Sequence, residues 1–325
     1  MFLGAPAASA PAERADRADR PSSVPNPVNG PIVFDWYSET FVVEPSHPRS
    51  YYETPFELQV EIPSVSPDGR FLAWPGFVPS SDPWGECCEL FVAELDGDHA
   101  RQLTDELQYP GSQGAGHSAW SPDGRQIVVE YGGGRLWIFE VRTGELVQRL
   151  TDDASEPVWS PDGRLIAFQA GSPGPGGWAL FTIRPDGTHL RQLTRPSAAQ
   201  FDTEADWSPD GRWLLFRTNR WASPDDNNET HLALVSRDGD AIRQLTHNRR
   251  QLWFEQPTWS PDGRKIAVAR QKPVRRGQPY DGEGTLAIYR ADGTFLRWVE
   301  GPWTQDMDDF HWPSIDWASR PPVQR

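Results

Sequence analysis

The chain has 325 residues with 31 Lys+Arg against 46 Asp+Glu, a formal net charge of −15. That balance excludes a nucleic-acid binder, because such binding rests on a basic surface that neutralises phosphates, and it leaves cations, basic proteins and neutral ligands. No apolar run of about 18 residues is present, so no membrane insertion is expected, and the two cysteines, Cys87 and Cys88, are neighbours, which excludes a disulfide framework.

From the N-terminus, residues 1–30 read as a flexible tail, rich in Ala, Pro, Arg, Asp and Ser and without apolar periodicity. Within it, Ala8-Ser9-Ala10 has the small-residue character of a stretch before a signal-peptide cleavage site; a plain disordered leader is the alternative. Residues 31–325 read as one domain. Its first segment, Ile32-Val33-Phe34-Asp35-Trp36-Tyr37, looks like the second strand of a hairpin that lacks its first.

A repeat then takes over. Val65-Ser-Pro-Asp-Gly-Arg70, Trp120-Ser-Pro-Asp-Gly-Arg125, Trp159-Ser-Pro-Asp-Gly-Arg164, Trp207-Ser-Pro-Asp-Gly-Arg212 and Trp259-Ser-Pro-Asp-Gly-Arg264 recur with serine spacings of 55, 39, 48 and 52 residues. Pro presets φ, Asp bonds its own backbone and Gly supplies a positive φ, so each copy is a tight reversal between two strands. Strand-like runs follow each one, for example Phe71-Leu72-Ala73-Trp74 and Trp213-Leu214-Leu215-Phe216.

Each unit continues into a second hairpin, as at Leu90 to Gly97 or Leu180 to Gly187, and ends in a fourth strand such as Arg191-Gln192-Leu193-Thr194 or Arg243-Gln244-Leu245-Thr246. Four antiparallel strands per unit predict an all-β, six-bladed β-propeller. Near the C-terminus Ser314-Ile315-Asp316-Trp317 matches an inner strand without partners. Joined to residues 31–62, it predicts a composite sixth blade that closes the ring and removes its open edge.

These residues resemble the TolB-like family of WD-repeat-related propellers, whose repeats centre on Trp-Ser-Pro-Asp-Gly and end in Leu-Thr. The resemblance covers residues 32–317 and departs from the pattern at Val65, where the other copies have Trp. It implies a non-catalytic protein-interaction scaffold, an accessory subunit of a bacterial envelope or extracellular assembly, and hence a periplasmic or extracellular location; a cytoplasmic one is the alternative. One fold hosts many activities, so the site must decide the function.

The short reversals occupy one face of the ring and the long connections the other, and the latter is the expected binding face. Its aromatics Trp84, Trp221, Trp253, Phe254, Trp303, Phe310 and Trp312 suit recognition of a protein partner or a carbohydrate; aromatics tucked onto the blades as satellite cores are the alternative. Counting three residues back from the motif Trp places His117, Glu156, Glu204 and Gln256 at the channel mouth, with Asp206 and Asp316 one residue back.

Carboxylate and amide oxygens suit Ca²⁺, and an imidazole beside carboxylates admits Mn²⁺ or Zn²⁺; a hydrated polar channel without metal is the simpler reading of the same ring. Asp225-Asp226-Asn227-Asn228-Glu229 is calcium-like in composition but lacks the spacing and central Gly of an EF-hand loop, and Gln305 to His311 reads as a solvated acidic loop near the same mouth. No Gly-x-Ser-x-Gly elbow occurs, and Gly132-Gly133-Gly134 lies between strands and so reads as a turn. A lyase or hydrolase of a sugar polymer is the alternative function, since acidic and aromatic groups at a channel mouth are what such a substrate needs.

Overall fold

The computed structural model describes residues 29–36, 39–43, 51–53, 62–79, 86–95, 98–105, 114–173, 176–222, 229–247, 252–271, 284–299 and 315–319. Among them there is no helix, and the strands form six four-stranded antiparallel sheets. Blade one is β4 (Ser64–Val65), β5 (Phe71–Pro79), β6 (Glu86–Glu94) and β7 (Arg101–Gln102). Blade two is β8 (Ala115–Trp120), β9 (Gln126–Tyr131), β10 (Arg135–Glu140) and β11 (Leu146–Thr151). Blade three is β12 (Ala154–Trp159), β13 (Ile166–Gly171), β14 (Trp178–Ile183) and β15 (Arg191–Gln192). Blade four is β16 (Asp202–Trp207), β17 (Trp213–Thr218), β18 (His231–Ser236) and β19 (Ile242–Gln244). Blade five is β20 (Phe254–Trp259), β21 (Lys265–Gln271), β22 (Gly284–Arg290) and β23 (Phe295–Trp298).

The sixth sheet is the composite that the split repeat predicts. Its order is β24 (Ile315–Ser319), β1 (Asn29–Trp36), β2 (Glu39–Val43) and β3 (Tyr51–Glu53). β24 pairs antiparallel with β1 through Trp317↔Ile32 and Asp316↔Val33, and the Trp317 indole donates to the Gly30 carbonyl at 3.1 Å. The inner strands β4, β8, β12, β16, β20 and β24 neighbour one another in turn, so the ring is closed.

The repeated residues build the same turn five times. In the copy after β20, Ser260 Oγ donates to Asp262 Oδ1 at 2.7 Å and accepts from the Lys265 amide at 2.9 Å. Asp262 Oδ1 in turn accepts from the Arg264 amide at 3.0 Å, and Gly263 has φ 67°. The same bonds recur at Ser66, Ser121, Ser160 and Ser208. The Leu-Thr blade ends have an equally local reason. Thr104, Thr194 and Thr246 are buried and accept the amides of Leu90, Leu180 and Leu232 at 2.9, 3.0 and 3.0 Å, which satisfies a donor that the short fourth strand leaves unpaired.

The buried apolar clusters span neighbouring blades. The motif residue Trp207 joins Ala167, Leu180 and Leu193 of blade three with Leu214 and Phe216 of blade four in one buried cluster. Trp259 does the same with Leu215, Leu234 and Leu245 of blade four and Ile266 and Val268 of blade five. A blade alone can bury neither of its faces, so the ring is the cooperative unit.

Candidate functional site

The inner strands run from the side of the long connections to the side of the Ser-Pro-Asp-Gly turns, and β8, β12, β16 and β20 each carry a register shift of the β-bulge type midway. The residue three before the motif aromatic sits at that irregularity. Glu156, Glu204 and Gln256 there have φ of 50°, 54° and 48°, and Ile62, just before β4, has φ 52°, a left-handed conformation that costs a non-glycine residue about 1–2 kcal/mol. Recurrence in four blades identifies the bulge as part of the scaffold, and its effect is to turn these side chains toward the axis.

His117, Glu156, Glu204, Gln256, Asp206 and Asp316 all line a central channel of about 240 Å³, where the count from the motif Trp places them. Deeper in the channel, the aspartates clasp neighbouring blades. Asp206 Oδ2 accepts the Trp259 amide at 2.7 Å and the Thr258 hydroxyl at 3.1 Å, and Asp316 Oδ2 accepts the Val65 amide at 2.7 Å, across the seam of the ring. Burial raises the pKa of both, that of Asp206 to about 7.

The mouth contains residues that the sequence reading did not single out. Glu130, Gln169 and Arg217 stand ten positions after Trp120, Trp159 and Trp207, on the second strand of their blades, and Glu255 precedes Gln256. Arg217 is the centre of the arrangement. Its guanidinium donates to Glu204 Oε1 and lies 3.3 Å from Glu255 Oε1, with its carbon 5.1 Å from the Phe201 ring centroid and 6.0 Å from that of Trp253. Glu204 Oε2 accepts the Gln256 amide at 2.6 Å, and Gln169 Oε1 accepts the Glu204 amide at 3.1 Å. On the other side of the mouth, His117 lies 3.8 Å from Glu130 and 3.9 Å from Glu156.

Crowding of charge in a poorly solvated space sets the protonation. Burial pushes the Glu156 carboxyl up to about 7 against the pull of His117, with Glu204 and Glu130 adding repulsion. Burial likewise pushes Glu255 up to about 8, with Glu204 reinforcing it and Arg217 opposing it. For His117 burial acts downward, but the Glu130, Glu156 and Glu204 carboxylates outweigh it and its pKa is raised.

The four predicted mouth residues are therefore together, but both oxygens of Glu204 are engaged by Arg217 and the Gln256 amide. Among the described residues no group of three or more His, Cys, Asp or Glu is placed to hold a metal ion. Of the predicted aromatic face, Trp221 is 38% exposed, edge-on to His231 at 6.3 Å, and Trp253 is half-buried. Phe254 corrects the expectation: it is the fully buried first residue of β20, packed against Tyr289 at 5.8 Å, because the strand begins earlier than the loop boundary read from sequence. Trp84, Trp303, Phe310 and Trp312 lie outside the described residues.

A closed ring of six four-stranded blades around an ionisable channel defines a six-bladed β-propeller. Residues 88–277 match the TolB beta propeller domain, and the chain belongs to that family. It is similar to the uncharacterized peptidase YuxL of Bacillus subtilis (strain 168), 29% identical over 172 residues, which are 52% of this chain and 23% of that protein; the chain thus matches about a quarter of the length of that relative. Among solved structures, TolB from Acinetobacter baumannii superposes with a TM-score of 0.62 at 18% identity, covering 84% of this chain and 64% of that one. A structure assigned as TolB from Agrobacterium tumefaciens gives 0.58 at 20% identity, covering 84% and 89%. At these identities the likeness speaks for the fold alone.

Proposed function

We propose that the protein is a non-catalytic binding module, a scaffold that engages a protein partner at the long-connection end of its channel as an accessory part of a bacterial envelope or extracellular assembly. The observation that carries this reading is the convergence, at one end of a rigid ring, of Glu130, Glu156, Glu204 and Glu255 with, among the described residues, Arg217 and His117 to balance them. Trp221 and Trp253, in connections at the same end, add apolar surface to that charge. Such a mixture of acid and aromatic on a fixed frame is suited to recognition.

A photo-reactive residue placed at Trp221 tests this in the source cell, with Asp186 on the short-turn side as the comparison site. A discrete partner adduct from position 221 and none from position 186 is the expected result; adducts only from 186, or from neither, would refute the scaffold reading. A second reading, turnover of a sugar polymer, is favoured by the Glu156 carboxyl held at about 7, the protonation a general acid needs. It requires Glu156→Gln to abolish turnover in a protein that stays folded.

A further inference from the structure

The mouth already holds one planar cation, and that shows what its walls are made for. Arg217 is 14% exposed and is gripped by two carboxylates and two aromatic rings, the surroundings in which a guanidinium is bound both by charge and by its face. It reaches there from the position ten residues after Trp207. The same position carries Glu130 in blade two, Gln169 in blade three and Ala269 in blade five, so among these four blades one supplies a cation while carboxylates stand on both sides of the mouth.

The sector around Glu156 is the part left short of positive charge. Glu156 Oε2 is buried and has no hydrogen-bond partner among the described residues, while Oε1 has only the His117 ring at 3.9 Å. A buried carboxylate oxygen without a donor is costly. The channel of about 240 Å³ opens against this side chain, room for a side chain from outside, since a water's share of volume is about 30 Å³.

We propose that the channel mouth beside Glu156 is a binding site for the guanidinium of an arginine side chain borne by a peptide or protein partner, entering between the His117–Glu130 pair and Glu204. This rests on the scaffold reading and names the chemistry its partner presents. Arginine fits better than lysine because its planar fork can satisfy Glu156 and a second carboxylate together.

The groups facing the site are His117 on β8, Glu130 on β9, Glu156 on β12, Gln169 on β13, Glu204 on β16, Arg217 on β17, and Glu255 and Gln256 on β20, with Asp206 and Asp316 further in. An entering cation favours the ionised forms of Glu156 and Glu255, whose carboxyls titrate at about 7 and about 8. Binding therefore tightens from about pH 6 to about pH 8 and releases protons.

Isothermal titration of the intact chain with acetyl-Gly-Arg-Gly-amide, against the isosteric citrulline peptide, reads the site directly. At about pH 8 the arginine peptide is expected to bind at least about tenfold more tightly than the citrulline one. Glu156→Gln is expected to remove that preference while keeping the wild-type melting behaviour, and Glu156→Asp to retain part of it; Glu145→Gln, on the exposed outer part of blade two, leaves it unchanged. Equal binding of the two peptides, or full binding by Glu156→Gln, would overturn the proposal. Loss of arginine-peptide binding with the Trp221 adduct intact overturns this inference alone, whereas loss of both overturns the scaffold reading as well.

Discussion

Replacing Asp206 with Asn separates two roles that a buried carboxyl can have. Asp206 accepts the Trp259 amide at 2.7 Å, and Asn keeps an acceptor for that bond while losing the ionisation. Burial first, with the charge of Asp316 in support and the Trp259 amide in opposition, raises its pKa to about 7. Its unfolded value is about 3.9, and a gap of about three units corresponds to about 4 kcal/mol. The side chain is partly open to the channel, and screening there cuts the figure to about 2 kcal/mol.

The sign follows from the direction of the shift. A folded pKa above the unfolded one means that the native state binds the proton more tightly, so the contribution is complete below about pH 4 and is lost as pH rises through about 7. Asp206→Asn has no such loss. Urea denaturation should find the variant close to wild type at about pH 4 and about 2 kcal/mol more stable at about pH 8. If the variant is instead less stable by the same amount at both pH values, the carboxylate acts as an ionised clasp and the reasoning from burial fails.

Thr246→Val leaves the Leu232 amide without its acceptor at 3.0 Å and should cost about 1–3 kcal/mol in the same assay, as should Thr194→Val for the Leu180 amide. Trp317→Phe removes the bond to the Gly30 carbonyl and part of the packing of a side chain only 4% exposed, at a cost of about 1–3 kcal/mol. Hydrogen exchange should then quicken first in β1 and β24 while β16 and β17 keep their protection; uniform quickening would contradict a weakened seam.

The blades were legible because the turn chemistry is written into consecutive residues: Ser, Asp and Gly each make the bond or adopt the φ that their type suggests. The seam was legible from Trp317, whose partners had to come from elsewhere in the chain. His117, Glu156, Glu204 and Gln256 followed from a count back from Trp, which holds because the bulge recurs at the same place.

The same count run forward would have found Glu130, Gln169 and Arg217, each a polar residue following the apolar run of its strand, ten positions after a motif Trp. It was missed because that register crosses the bulge, where simple alternation no longer tells which face a residue takes. Phe254 went astray for the opposite reason. A lone aromatic next to Trp253 carries no period, and only its burial against Tyr289 and beneath Arg270 shows that the strand has begun. The protonation of Glu156 lay beyond sequence reasoning altogether, since it depends first on burial in the assembled ring and then on His117, Glu204 and Glu130 brought to it from other blades.

The pairing of Asn29 with Ser319 bears on the order of the blades. Those two residues lie side by side at one end of antiparallel neighbours, so a short hairpin linker could splice them, and new ends could be cut at Gly132–Gly134, between β9 and β10. The rearranged chain would keep every inter-blade cluster and every channel residue in place. No blade is privileged as the first: what the chain must preserve is the cyclic order in which the inner strands meet, and the linear order in which they are synthesised is a separate matter.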